Sequence, residues 1–345
     1  MAYTTIDKPS DYFEAFAYTG DGNTKVNFAS DFTPDMTWFK VRNNTYDHQI
    51  HDSVRGVSVG YLDSATNVAE QSSYPIASFD SDGVTTVSGN ITGVNKTNDL
   101  MVSWNWKAGT SFTNDASSTG IGTIDSAGSV STDAGFSIVT FTNSGSGVDT
   151  IAHGLGVVPT VVIAKTRSHA NGWFMYHKDI GNTKFLRLET TGAATANTMW
   201  NDTTPTSTVF SLNSGNIGTS RNIVAYCFKE KQGYSKIGSY TGTGSDVFIH
   251  TGFKVGWLLV KNADNTNGWL VIDTKRSPAN PQGKYIYANA GGAEGTVTYG
   301  EFFSNGFGWK GTGSVAVNQS GEKFIYYAIA ENPFVTSTGV PATAR

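Results

Sequence analysis

Several sets of residues have types and spacings that could do chemistry. Gly56-Val57-Ser58-Val59-Gly60 fits the pattern of a nucleophile elbow, which needs a strand before the serine and a substantial helix after it. Neither flank reads that way, so a loop glycine pair is the better account. His48 and His51 lie close together, but no Cys or Glu stands beside them at metal-ligand spacing. Gly242-Thr243-Gly244 would cradle a phosphate at a helix N-terminus; it leads into Val247-Phe248-Ile249-His250, a strand pattern. Asp52 and Asp273 close matching apolar runs, with His177 or Asp179 near the middle position. Paired carboxylates would suit glycoside cleavage, yet a repeated Asp at a strand end is ordinarily a turn cap, and no distinctive acid pair emerges. Trp173 and Trp269 each follow an Asn-Gly turn, Asn171-Gly172 and Asn267-Gly268. An exposed indole face suits the apolar side of a pyranose, so Trp173, Trp269, Asn171 and Asn267 are the candidate ligand-binding residues, with core packing as the competing role of the two rings. No catalytic residue, metal ligand or cofactor motif is assigned, and the chain reads as a non-enzyme.

The elements that must position these residues come in three copies. Tyr18-Thr19-Gly20-Asp21-Gly22 is echoed by Phe141-Thr142-Asn143-Ser144-Gly145 and by Tyr240-Thr241-Gly242-Thr243-Gly244. Each is followed by an apolar run ending in Lys40, Lys165 or Lys261. A Phe-led segment (Phe79, Phe210, Phe303) then precedes a closing stretch: Met101-Val102-Ser103-Trp104-Asn105-Trp106, Ile223-Val224-Ala225-Tyr226-Cys227-Phe228 and Ile325-Tyr326-Tyr327-Ala328-Ile329-Ala330. The copies start about 123 and about 99 residues apart, close to the size of a self-sufficient domain.

Composition and pattern point to an all-β protein. The 345 residues include 39 glycines, 12% aromatics and only 15% charged residues, against a typical charged share of roughly 25%. Apolar segments are short, rich in Val, Ile, Phe, Tyr and Trp, and bounded by Gly, Asn, Asp and Ser, which marks strands and turns. Helical periodicity is confined to a short stretch, Asp63 to Glu70, read as a short helix or loop. Strands such as Val161-Val162-Ile163-Ala164 are apolar on both faces, as inside stacked sheets. The expectation is three tandem β-sandwich domains of jelly-roll or lectin-like type: 1–108, 135–232 and 233–334. Residues 109–134 read as a Gly/Ser/Thr-rich linker and 335–345 as an extended tail. The second and third units then form a rigid pair, with the first one tethered.

A net charge of −4 shows no basic face for nucleic acid. No apolar run approaches the roughly 18 residues of a membrane span, and the first residues lack the basic and apolar regions of a signal peptide. Cys227, the single cysteine, lies in a strand pattern and reads as a buried structural thiol.

Copy three, with Tyr240-Thr241-Gly242-Thr243-Gly244, Thr251-Gly252-Phe253-Lys254, Trp257-Leu258-Leu259-Val260-Lys261, Trp269-Leu270-Val271-Ile272-Asp273 and the closing Ala330-Glu331-Asn332-Pro333-Phe334, resembles a domain of unknown function found in structural proteins of marine tailed phages. Ala152-His153-Gly154-Leu155-Gly156-Val157-Val158-Pro159 in copy two is similar to the same family. Val255-Gly256 replaces the family's proline-containing step in copy three, and Phe32-Thr33-Pro34 in copy one lacks the preceding glycine. The resemblance implies membership of a cyanophage-like virion and brings no catalytic residues. Two roles follow as expectations: a tail or head fibre subunit, homo-oligomeric and trimeric, that contacts a host-surface glycan through many weak sites; or a capsid-decorating or tail-lattice subunit that binds only other virion proteins. A polysaccharide depolymerase ranks last. The polar termini should be ordered only where a partner holds them.

Overall fold

The computed structural model describes residues 3–28 and 30–341. Strands and loops make up nearly all of it; the helical pieces are Ala116–Thr119 and two 3-10 turns, Pro9–Asp11 and Ser214–Asn216. Unit one contains β1 (Phe13–Thr19), β2 (Lys25–Asn27), β3 (Met36–Val41), β4 (Gln49–Asp52), β5 (Ile76–Asp80), β6 (Gly83–Thr86) and β7 (Leu100–Trp106). Unit two contains β8 (Thr110–Asn114), β9 (Ser126–Ser131), β10 (Phe136–Thr142), β11 (Val148–Ala152), β12 (Val161–Thr166), β13 (Trp173–His177), β14 (Gly181–Arg187), β15 (Thr195–Ala196), β16 (Val209–Asn213) and β17 (Asn222–Phe228). Unit three contains β18 (Ser235–Thr241), β19 (Val247–His250), β20 (Phe253–Asn262), β21 (Leu270–Asp273), β22 (Gln282–Tyr287), β23 (Gly295–Phe303), β24 (Gly306–Trp309) and β25 (Lys323–Pro333).

The same strand order appears in each. A large antiparallel sheet runs β1-β7-β3-β4, β10-β17-β12-β13-β14 or β18-β25-β20-β21-β22, so the last strand of each unit sits between β1 and β3, β10 and β12, or β18 and β20. A smaller sheet, β2-β6-β5 or β11-β16, faces it; in unit three β23 joins the two, so the series continues β23-β24-β19. Within each unit the two layers enclose a core, centred on Phe28, Phe39 and Val84, on Phe141, Phe210 and Leu212, and on Phe253, Phe307 and Trp309. This is the two-layer solution expected of strands apolar on both faces.

The other face of every large sheet points at its two counterparts. Trp38, Trp104 and Trp106 of unit one, Trp173, Tyr226 and Phe228 of unit two, and Trp257, Trp269 and Tyr327 of unit three belong to one continuous core. Trp257 lies 5.7 Å from Trp106 and 5.9 Å from Phe13, ring centre to centre, and Phe228 lies 5.1 Å from Tyr327. The loops that follow β4, β14 and β22 cross to the next unit. Asn171 N donates to Asn67 O (2.8 Å) and Glu70 N to Arg167 O (2.8 Å); Asn267 N donates to Thr191 O (2.9 Å) and Ala194 N to Ala263 O (2.8 Å); Glu294 N donates to Arg42 O (2.7 Å). Unit one grips two, two grips three, and three grips one: a closed ring with a threefold relation inside one chain.

This changes three expectations and decides one that was open. The units share a core and are not strung as separate domains, so the first is not tethered. The supposed linker folds: β8 pairs β9 and β9 pairs β10, extending unit two's sheet, because Thr, Ser and Phe112 alternate well enough to add an edge hairpin to a sheet already in place. The stretch 63–70, read as a short helix or loop, is a crossing loop. The described terminal residues are held by their own chain, with 1–2 and 342–345 outside the described residues: Thr4 Oγ1 donates to Gln232 O (2.9 Å), Tyr3 hydroxyl to Gly252 O, and Ser337 N to Asp7 Oδ1 (2.6 Å).

Candidate functional site

The four candidate ligand-binding residues build the seams of the ring. Trp173 and Trp269 are each 1% exposed. Their indole N–H groups donate to carbonyls of the preceding unit, Trp173 to Asp63 O (2.8 Å) and Trp269 to Arg187 O (3.0 Å). Asn171 and Asn267 are half-buried beside them and supply the seam amides already described. The sugar-platform reading is therefore corrected: the turn before each Trp is at the surface of its own unit, and the crossing loop of the neighbour covers it.

The other sequence candidates are also structural. Ser58 is exposed in an irregular loop; Gly56 is there for its positive φ of 84°, and Gly60 because a Cβ would fall 1.3 Å from Gln71 O. His48 is buried, accepts at Nδ1 from Trp38 Nε1 (2.8 Å) and meets Tyr287 O with Nε2 (3.1 Å); burial pushes its pKa down to about 3, and that of His51 likewise to about 3. Among the described residues, no group of three or more His, Cys, Asp and Glu is placed to hold a metal ion, and no helix is long and apolar enough to cross a membrane. Cys227 is buried, and burial pushes its thiol up to about 12.

Asp52 and Asp273 are bolts. Asp52 accepts from Arg55 Nε (2.5 Å) and from Tyr226 Oη of unit two (2.7 Å); Asp273 accepts from Arg276 Nε (2.6 Å) and from Trp104 Nε1 of unit one (2.9 Å). Glu70 and Glu294 continue both networks, pairing across the seam with Arg167 (3.0 Å) and Arg42 (2.9 Å). The seam between units two and three has Ala194, Ala263 and His177 at the corresponding places, as the strand register assigns them. Lys40, Lys165 and Lys261 are fully buried. Lys165 Nζ donates to Val68 O (2.7 Å) and Asn171 O (2.9 Å), Lys40 Nζ to Gly291 O (3.1 Å), and Lys261 Nζ to Asn265 O (3.1 Å) within its own unit. Burial lowers all three to about 8.

A different surface has the makings of a binding site. On the outer side of unit three, β24 alternates Gly306-Phe307-Gly308-Trp309, with Phe307 and Trp309 in the core and the glycines facing out. In register beside them, Phe248 and Glu301 flank Gly308, while His250 and Phe303 flank Gly306. Phe248 is 50% exposed and Phe303 36% exposed, and their ring centres stand 5.5 Å apart at 66°. A Cβ on Gly306 would come within 2.2 Å of Ile249 O and 2.8 Å of the Phe248 ring, and one on Gly308 within 2.6 Å of Val247 O and 3.2 Å of Phe303. Glycine is required by the close main chain as well as by the rings, which stand edge to face over the strand and stay partly open to solvent. Asp246, Glu301 and Lys310 rim the resulting cleft of about 380 Å³, and Asp246 Oδ1 is oriented by Gly311 N (2.6 Å). The corresponding face of unit one carries Lys25 bound to Asp80 (2.7 Å) and Asp82 (2.6 Å); that of unit two carries Val148 and Thr150. Strand parity in Val247-Phe248-Ile249-His250 turns Phe248 outward once Ile249 is placed inside, but that placement and the glycines beneath the ring come only with the register.

Comparison with curated proteins returns no match. One family match covers residues 8–333, thus all three units and every seam of the ring. The chain belongs to the family described as Domain of unknown function (DUF7483).

Proposed function

We propose that this protein is a non-enzymatic structural subunit of a tailed-phage particle that contacts the host surface through the outer face of unit three, with a glycan as its ligand. Particle membership rests on the resemblance of the Tyr240–Phe334 motifs to domains of marine phage structural proteins. The contact role rests on one observation: two exposed phenylalanine rings set at 66° over the glycines of β24, in a cleft rimmed by two carboxylates and one ammonium, a combination that suits a sugar's apolar face and its hydroxyls together. Weak single sites become useful when repeated, and homo-oligomerisation as a trimer would repeat this one. The lattice-subunit reading loses its main support, since the termini that would lie on neighbours are bound to the chain's own residues. The depolymerase reading loses its acids to the Asp52–Arg55 and Asp273–Arg276 pairs.

The test is labelled protein on a panel of marine bacterial cells, wild type against Phe248→Ala/Phe303→Ala with the fold checked by circular dichroism. Saturable binding lost in the folded variant is expected; equal binding by both proteins overturns the assignment of this face.

A further inference from the structure

We infer that the sugar taken by the Phe248–Phe303 face is a hexopyranose residue without an acid group and that acidic sugars are turned away. The inference rests on the reading that this face is the contact surface. Phe248 and Glu301 sit on either side of Gly308, two strand spacings or about 10 Å apart at the backbone. Gly308 between them is covered by the Phe303 ring, so the seat is lined by the two rings and by Glu301. The two rings at 66° make a corner seat: one offers its face to the apolar side of the sugar, the other closes against the edge.

Charge selects among sugars. Asp246 and Glu301 place two carboxylates at the rim against the single ammonium of Lys310. Ionised carboxylates are acceptors only, so they take hydrogen bonds from hydroxyls, and one carboxylate can hold a vicinal diol. A uronic acid or sulfated sugar would bring like charge to the same rim, which costs affinity and on-rate together. A lattice protein partner would need a broader apolar patch than two rings supply. The rings also shield the main chain at Gly306 and Gly308, and that shielding alone is the reading to be separated from binding.

The experiment is saturation-transfer NMR on the whole chain with methyl glucoside, methyl galactoside, glucuronic acid and glucosamine as separate probes. A dissociation constant on the order of millimolar is expected for at least one neutral glycoside, with glucuronic acid at least about tenfold weaker. Phe248→Ala should abolish the signal, and Phe303→Leu, which keeps the glycine covered, should still weaken it. Glu301→Gln should weaken neutral binding about fivefold while narrowing the gap to glucuronic acid. Glucuronic acid binding as tightly as the neutral glycosides and glucosamine would overturn the inference. So would both Phe variants melting earlier with unchanged glycoside binding, which would leave shielding as the rings' only role. Glycoside binding with cell attachment unaffected by the double variant would leave the sugar class standing and refute the host-contact reading instead.

Discussion

Asp273→Asn tests whether the three units are one cooperative body. The Asp273 carboxylate accepts from Arg276 N (2.9 Å) at one oxygen and from Arg276 Nε and Trp104 Nε1 at the other, and both members of the ion pair are fully buried. An amide offers one oxygen, so its NH2 must face a donor, and the Arg276 charge keeps only Glu294 (3.3 Å) as a carboxylate partner. Breaking a buried pair this way costs about 3–5 kcal/mol. At roughly 2.1 cal/mol/K per residue, unfolding entropy is about 0.7 kcal/mol/K for all 345 residues and about 0.2 for a unit of about 100. A shared core therefore gives one calorimetric transition shifted down by about 4–7 °C, with all the unfolding enthalpy moving together. Independent units would give a shift of about 14–24 °C in about a third of the enthalpy, with the rest unmoved. Differential scanning calorimetry of wild type, Asp273→Asn and Asp273→Leu/Arg276→Met decides it. The double variant should recover most of the loss, because apolar replacement of a buried pair is often neutral. A split endotherm would refute the ring.

The remaining expectations concern pH, thiol access and one glycine. His48, His51 and His177 are held neutral by burial, at about 3, about 3 and about 4, so below pH 6.5 the unfolded chain takes up protons that the folded chain refuses and stability falls with pH. Asp63, raised by burial to about 6, opposes them between about 4 and 6 because there the folded chain is the one that holds the proton. The net of about two protons predicts a loss of about 3 kcal/mol from pH 6 to pH 5 in urea titrations, roughly halved in His51→Gln; a flat profile would contradict it. Cys227 should resist a thiol reagent in the native protein and react fully in denaturant, since the reacting species is the thiolate; prompt native labelling would mean the strand opens. Gly60→Ala should cost at least about 2 kcal/mol, because the Cβ meets the Gln71 carbonyl, whereas Gly56→Asn, at an open position with positive φ, should cost under about 1 kcal/mol. Equal melting temperatures for the two variants would refute that distinction.

The strand content and the burial of Cys227 were legible because they depend on local pattern: period-two alternation and turn residues. The site was not. Trp173 and Trp269 look like surface aromatics because each follows an Asn-Gly turn, and nothing within either unit says that another unit's loop will lie across it. Phe248 and Phe303 look like core residues of the same strand-forming type as Phe253 and Phe307. What separates them is which neighbours are glycine across the strands, and that requires the register.

Lys40, Lys165 and Lys261 show where the division lies. By itself the sequence determined that each unit has a third strand and that a lysine ends its apolar run. Only the tertiary structure decided that this lysine is buried, because a cation leaves water only where oxygen ligands replace it. For Lys40 and Lys165, part of that replacement is a carbonyl from a neighbouring unit, Gly291 or Val68, brought within reach when the ring closes.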